Sequence, residues 1–192
     1  MIGMVIGSAS CILSDLTNKL LPHCLSIGIN RAAIDFKVDI ASTSEAQPIR
    51  EWFRCKTSAK QFLVKENYAH LCQGCIAYKP SEKLHFEDRE DSELFYGARN
   101  SALPAIHYLI LQGCDTILLS GIAFEQNWQY YHLDIAKVHE QSHCDEIRES
   151  LYQLAKHCNL ICINKNSFNP KYVKTITSED TLFNTLNLSS KV

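Results

Sequence analysis

The chain has 192 residues, of which 46% are hydrophobic and 21% are charged, and its formal net charge is -2. This size and balance predict a single domain, residues 1–192, with a sizeable core. They argue against a partner nucleic acid held by a basic field, and no apolar run is long enough to span a bilayer as a helix.

Short apolar runs alternate with amphipathic stretches along the first part of the chain. The run that begins at Met4 ends in the small-residue turn at residues 7–10, which is typical of a first strand rather than of a signal peptide. In chain order the patterns predict a strand over 4–7, a helix over 12–21, strands over 24–29 and 36–41, a helix over 45–54 and a short strand over 62–64.

Residues 66–96 have no clear period and contain an acidic run, so we expect an irregular insertion or lid with one short strand near 75–78. Order returns beyond it. The patterns predict a helix over 100–112 that ends at Gly113, a strand over 116–119, a helix from Ser142 to about His157 with Asp145 completing a capping box, a strand over 160–163, and weak helical character near Leu182.

This alternation predicts an α/β fold with a mostly parallel, nucleotide-binding sheet and flanking helices, a Rossmann-like arrangement. Ligands of such sheets bind at the carboxyl ends of the strands. Three segments should meet at that edge: the turn at residues 7–10, Asn30, and the loop after Gly121.

The nine cysteines are scattered, and several lie in apolar runs, which indicates free thiols in a reducing compartment and a cytoplasmic location. Cys72 and Cys75 form the one close pair, with His70 and His85 nearby. A second pair of the zinc-ribbon kind is missing, so a structural role is favoured over a metal or redox site.

Several side chains are candidates for chemistry, each beside a plainer interpretation. Asn30 either reads a nucleotide or caps the next helix, and Ser101 either holds an anion or is a simple N-cap. His132, His139 and His143 lie close together in the chain and offer a base near neutral pH. No Asp-x-Asp, P-loop or Gly-x-Ser-x-Gly motif occurs, so no metal site or cofactor is predicted.

The stretch from Ser120 to Asp134 resembles a motif of the bacterial sialyltransferases of glycosyltransferase family 42. Those enzymes have Ser-Gly-Ile-Asp-Phe-Tyr-Gln-Asn, a short gap, Tyr, two residues and Asp. The matching residues here are Ser120, Gly121, Ile122, Phe124, Gln126, Asn127, Tyr131 and Asp134. The resemblance covers residues 97–167 well and residues 3–40 loosely.

That resemblance implies a metal-independent, inverting transfer of an acidic sugar from a CMP-activated donor such as CMP-sialic acid. It implies His139 or His143 as the general base and Tyr131 on the leaving phosphate. Contacts to the donor would come from Ser8, Asn30, Ser101, Ser120, Gly121 and Tyr131. The implied partners are a nucleotide-sugar donor and a glycan acceptor such as lipooligosaccharide, and a peripheral membrane contact and a homo-oligomer are left open.

The chain departs from the family pattern at three places, two of them inside this motif. Ala123 and Glu125 replace a family Asp and Tyr, and residues 7–11, Gly-Ser-Ala-Ser-Cys, replace Gly-Asn-Gly-Pro-Ser. These changes keep two alternatives open: a non-catalytic nucleotide-binding relative, and a pterin pyrophosphokinase-like enzyme with Asp39 at a magnesium site.

Overall fold

The computed structural model describes residues 1–81, 94–96, 100–122, 127–129, 136–138, 141–163, 173–176 and 178–188. Three of the residues named above for chemistry, Tyr131, His132 and His139, lie outside them. So do His85, Ala123 and Glu125.

Within this part of the chain, nine strands form one sheet, and every pair of neighbours in it is parallel. An additional antiparallel pair, β8 and β9, lies outside that sheet. The order across the large sheet is β11-β10-β7-β1-β2-β3-β4-β5-β6. The strands are β1 (Ile2–Ile6), β2 (Leu25–Ile29), β3 (Ile40–Thr43), β4 (Gln61–Lys65), β5 (Ile76–Ser81), β6 (Leu94–Tyr96), β7 (Thr116–Ser120), β8 (Asn127–Gln129), β9 (Ala136–Val138), β10 (Asn159–Cys162) and β11 (Lys174–Thr175).

Helices cover both faces of the sheet, because strand side chains alternate between the faces and both sets are apolar. Met4 and Ile6 of β1 face one core cluster, and Val5 faces the other. The helices are α1 (Ser14–Leu20), α2 (Ala32–Asp35), α3 (Ala46–Cys55), α4 (Ala102–Leu111), α5 (Gln141–Leu154) and α6 (Glu179–Leu186). Helices α1, α2, α3 and α6 pack on the Met4 side, and α4 and α5 pack on the Val5 side.

The predicted fold class is confirmed: this is an α/β, Rossmann-like fold with one parallel sheet and flanking helices. Most predicted elements are present within a few residues of their expected positions. Gly113 has φ +85° and ends α4 as expected, with its amide donating to the carbonyl oxygen of Ile110.

The third strand was predicted too early in the chain. Phe36 instead closes α2, donating its amide to the carbonyl oxygen of Ala32, and the strand begins at Ile40. Asp39 precedes the strand, where its carboxylate accepts hydrogen bonds from the amide and hydroxyl of Ser26. The short apolar α2 was mistaken for the approach to a strand because four residues are too few to show a helical period.

The predicted capping box is also wrong. Helix α5 begins at Gln141, so Ser142 already lies in its first turn. The carboxylate of Asp145 accepts a hydrogen bond from the guanidinium of Arg148 at 2.8 Å.

In the segment over 66–96, the short strand expected near 75–78 is present as β5, and β6 continues the sheet beyond it. A 3-10 helix, Glu66–Leu71, leads into β5. Residues 82–93 lie outside the described residues, so the insertion or lid remains a prediction there.

Candidate functional site at the carboxyl edge of the sheet

The order of the strands places a crevice between β1 and β7. These strands are neighbours, yet α1, which follows β1, and α5, which follows β7, pack on opposite faces of the sheet. Loops that leave neighbouring strands towards opposite faces separate at the carboxyl edge, and ligands of doubly wound sheets bind in that gap. The loops after Ile6 and Ser120 therefore frame the candidate site.

Two glycines let these loops touch at the base of the crevice. The amide of Gly7 donates to the carbonyl oxygen of Ser120 at 2.8 Å, and the amide of Ala9 donates to that of Gly121 at 2.9 Å. A Cβ atom on Gly7 would clash with the carbonyl oxygen of Gly121. Gly121 has φ +61°, and a Cβ atom there would lie 2.7 Å from the carbonyl oxygen of Gly7. The two strand ends can approach this closely only because both residues are glycine.

The serines beside the glycine pair have different surroundings. Ser120 is fully buried, and its hydroxyl lies 2.6 Å from that of Thr17. Thr17 donates its own proton to the carbonyl oxygen of Leu13, so Ser120 is the donor of the pair. Ser8 is only 9% exposed, and its hydroxyl has no hydrogen-bonded partner among the described residues. Ser8 therefore keeps a donor for a ligand, whereas the hydroxyl of Ser120 ties β7 to α1.

Asn30 lies at the end of β2, one strand further along the edge. It takes the left-handed conformation, φ 52°, which Asn tolerates better than most residues. Its side-chain oxygen accepts a hydrogen bond from the hydroxyl of Thr43 at 2.7 Å, and its carbonyl oxygen accepts one from the indole of Trp52 at 2.8 Å. Its side chain does not cap α2, which has no side-chain cap. The amide nitrogen of the side chain makes no hydrogen bond within the described part of the chain.

Ser101 lies at the start of α4 and reaches across to the end of β3. Its hydroxyl is 2.8 Å from the hydroxyl of Ser44 and accepts a weak hydrogen bond from the amide of Ser44 at 3.3 Å. The side-chain oxygen of Asn100, not that of Ser101, accepts from the amide of Ala102 at 2.7 Å. Ser101 is the N-cap residue of α4 by position, but its side chain makes no cap hydrogen bond, because Asn100 binds the free amide of the first turn.

Hydroxyl groups at the end of β3 belong to the same constellation, and the sequence analysis did not select them. Ser42 is fully buried and has no hydrogen-bonded partner among the described residues. Thr43 holds Asn30, and Ser44 holds Ser101. The run Ser-Thr-Ser at 42–44 would have identified them had the strand been placed correctly.

The phenol of Tyr78 supports this end of β3 from β5. It donates to the carbonyl oxygen of Thr43 at 3.3 Å. Burial raises the pKa of Tyr78 above its ordinary value, so the phenol stays neutral and remains a donor.

The groups at this edge form a row of hydroxyls, amides and backbone donors. Ile6 pairs with Gly28, and Ile29 pairs with Ser42, so Ser8, Asn30 and the hydroxyls of β3 follow one another across neighbouring strands. Neutral donors arranged in this way suit a polar ligand with hydroxyl and phosphate oxygens.

The remaining predicted site residues are only partly described. His143 lies in the first turn of α5. The role predicted for His143 as a base stays a prediction. The roles predicted for Tyr131 and His139 stay predictions.

The pair Cys72 and Cys75 lies away from this row, beside the 3-10 helix that precedes β5. Burial first and the neighbouring Cys75 second raise the pKa of Cys72 to about 11, so its thiol is protonated at neutral pH. Within the described ranges, no group of three or more His, Cys, Asp or Glu side chains is placed to hold a metal ion. In the same ranges, no helix is both long and apolar enough to cross a membrane.

No protein-family model matches the chain. Its sequence also matches no curated protein.

Two solved structures were found to be similar to this chain. The sialyltransferase CstII from Campylobacter jejuni, solved with the substrate analogue CMP-3FNeuAc, superposes with a TM-score of 0.52 at 13% identity, over 91% of this chain and 85% of that one. A thiamine pyrophosphokinase from Bacillus subtilis superposes with a TM-score of 0.40 at 13% identity, over 85% of this chain and 60% of that one. The second superposition is too loose to support an inference, and the first establishes a shared fold.

Proposed function

We propose that this chain is a metal-independent glycosyltransferase that moves an acidic sugar from a CMP-activated donor to a glycan hydroxyl with inversion. The observation that carries the proposal is the row of uncharged donors at the carboxyl edge, from Ser8 past Asn30 to Ser44 and Ser101. The motif from Ser120 to Asp134 adds support, as does the fold shared with a sialyltransferase that binds a CMP-linked analogue.

In this proposal the donor lies across the crevice with its nucleotide over β2 and β3. The free amide nitrogen of Asn30 and the hydroxyl of Ser101 face the cytidine and ribose. The unpartnered hydroxyl of Ser8 and the backbone near Gly121 receive the phosphate, because amides and hydroxyls at strand ends bind anions without needing a metal.

The chemical step is a direct displacement. The acceptor hydroxyl attacks the anomeric carbon of the sugar and gives its proton to the imidazole of His139 or His143. The bond between the anomeric carbon and the phosphate oxygen breaks, and CMP leaves with the electron pair. Tyr131 donates to the leaving phosphate and stabilises the charge that develops there.

The proposal predicts that purified protein binds CMP and CMP-sialic acid in preference to UDP and ATP, with or without EDTA. Isothermal titration measures binding, and release of CMP in the presence of a glycan acceptor measures turnover.

Tyr131→Phe should lower kcat by roughly a hundredfold, as loss of one oxyanion donor does. His139→Ala and His143→Ala identify the base, because only the true base should lower turnover by about 10²-fold or more.

Two results would contradict the proposed glycosyltransferase activity. Binding of CMP without turnover of CMP-sialic acid by any acceptor would instead favour the non-catalytic nucleotide-binding relative, which the replacements Ala123 and Glu125 also suggest. Preference for ATP with magnesium would favour the pyrophosphokinase alternative. That alternative has lost support from Asp39, whose carboxylate lies at the amino edge of the sheet and is bound by Ser26.

A further inference from the structure

A second cleft lies at the amino edge of the sheet, at the far ends of β2 and β3 from the proposed donor site. Its volume is about 410 Å³, within the range of roughly 300–1,000 Å³ that is usual for small-molecule sites. It is formed where the 3-10 turn that follows α1, the start of β2 and the approach to β3 come together. Nothing in the proposed transfer reaction uses it.

The floor of this cleft is apolar. Val38 is almost fully buried, at 3% exposure, and the half-buried side chains of Leu21 and Cys24 lie beside it. Burial raises the pKa of Cys24 to about 12, so its thiol is uncharged at neutral pH and does not repel an anion. An apolar floor favours a ligand with a carbon skeleton over a bare inorganic ion.

The rim carries two lysine ammonium groups that form no ion pair with any described residue. Lys37 and Lys60 both line the cleft, both are exposed, and neither makes an ion pair or side-chain hydrogen bond within the described part of the chain. Two ammonium groups against the single carboxylate of Asp39 leave the cleft with a net positive charge. This charge balance favours a ligand that carries an anionic group.

Asp39 is held in a fixed position at the wall. Its Oδ2 atom accepts from the amide of Ser26 at 2.9 Å and from its hydroxyl at 2.7 Å, and its own amide donates to the Ser26 hydroxyl oxygen at 3.0 Å. The carbonyl oxygen of Asp39 accepts from the amide of Lys60 at 3.0 Å. This leaves Oδ1 as a fixed acceptor that can select a donor group on the ligand.

We infer that the amino-edge cleft is a binding site for a small organic ligand with an anionic group for Lys37 and Lys60, an apolar body, and a hydrogen-bond donor for Asp39. It is separate from the proposed donor site, because it lies at the opposite edge of the sheet. The site does not depend on the chain being a glycosyltransferase.

Three probes test the three features in the ¹⁵N-labelled full chain by NMR titration. Inorganic phosphate supplies charge alone, benzoate adds an apolar body, and 4-(aminomethyl)benzoate adds a donor. We expect shifts at the amides of Ser26, Asp39 and Lys60, with affinity rising in that order of probes. The amides of Asn30 and Ser44 should not move, since they lie at the other edge.

The variant with both Lys37→Ala and Lys60→Ala should bind 4-(aminomethyl)benzoate roughly tenfold more weakly, as expected for the loss of two exposed charge contacts. Lys174→Ala, which removes an exposed lysine of β11 at one end of the sheet, is the matched control and should bind normally. Both variants change exposed side chains, and a dispersed spectrum confirms folding.

Three outcomes overturn the inference: no shift at the amino-edge amides with any probe, equal affinity for phosphate and 4-(aminomethyl)benzoate, or shifts confined to the Asn30 and Ser44 amides. Loss of binding in the Lys174→Ala control as well would show that net charge alone attracts the probe, which also overturns it. None of these results bears on CMP binding, so failure here and failure of the proposed transferase can be told apart.

Discussion

Gly121 and Gly113 both have positive φ, but only Gly121 is crowded. A Cβ atom on Gly121 meets the carbonyl oxygen of Gly7 at 2.7 Å, whereas one on Gly113 meets nothing within 4 Å. Alanine substitutions at these two glycines therefore separate two losses of folding stability. One comes from the left-handed backbone conformation, and the other from the close approach between two strand ends.

We predict that Gly113→Ala lowers the free energy of unfolding by about 1–2 kcal/mol, the usual cost of a left-handed alanine. Gly121→Ala should cost about 1–3 kcal/mol more, because its methyl group also overpacks the seam between β1 and β7. Urea denaturation of both variants measures the difference. Equal losses would show that the contact between the two strand ends relaxes freely and is not a tight constraint on the crevice.

Ser8 and Ser120 show how little residue type says about role. Both are serines in small-residue turns at the same edge of the sheet, and both were predicted to contact a donor. One hydroxyl is bound by Thr17 and the other has no partner among the described residues. The difference depends on which helix packs above each strand end, and one sequence without its fold does not contain that information.

At the scale of the element, two neighbouring residues at the start of α4 make different hydrogen bonds. Asn100 binds the amide of Ala102, and Ser101 binds Ser44 at the end of β3. The first contact stabilises the helix, and the second fixes the position of the helix against the candidate site.

We expect Asn100→Ala to cost about 1 kcal/mol, the usual loss for a helix cap, and to speed hydrogen exchange of the Ala102 amide. Ser101→Ala should leave that amide protected, since its hydroxyl makes no bond to the helix. Exchange measured by NMR on both variants makes the comparison. Faster exchange at Ala102 in Ser101→Ala would contradict this division.

The predicted elements that were wrong share one cause. The strand predicted over 36–41 and the capping box at Ser142 were both placed from short patterns of four to six residues. Long patterns such as α4 and β7 were placed correctly, because a period repeated several times is hard to produce by chance.

At the scale of the whole molecule, the scattered cysteines differ in burial: Cys162 is buried, Cys24 and Cys158 are half-buried, and Cys55 is exposed. Burial, before any neighbouring charge, raises the pKa of Cys24, Cys158 and Cys162 from the ordinary thiol range to about 12. These thiols are therefore protonated at neutral pH and are poor nucleophiles in the folded chain.

The raised pKa values predict that stability falls as the pH rises from 9 towards 12. In this window the unfolded chain loses the thiol protons while the folded chain keeps them. Ionisation therefore stabilises the unfolded state relative to the folded state. Cys162→Ala should flatten the pH slope of the free energy of unfolding by up to about 1.4 kcal/mol per pH unit. Urea denaturation between pH 8 and 11 measures that slope.

Cys55→Ala, which removes an exposed thiol, is the matched control for this experiment. An equal change of slope in both variants would contradict the assignment of the effect to burial.

The sequence by itself determined the alternation of strands and helices, the parallel sheet, and the edge at which candidate residues gather. It could do so because hydrophobic periodicity is a local property, and helical crossovers between successive strands indicate parallel pairing. It also supplied Ser8, Asn30 and Gly121 as members of that edge.

The tertiary structure alone decided what each of these residues contacts. The bond between Ser44 and Ser101 joins residues 57 apart, and that between Thr17 and Ser120 joins residues 103 apart. Such pairs depend on the order of strands in the sheet and on the face that each helix covers, which follow from packing of the whole core. The amino-edge cleft arose in the same way, since Lys37 and Lys60 share one rim only because β3 and β4 are neighbours.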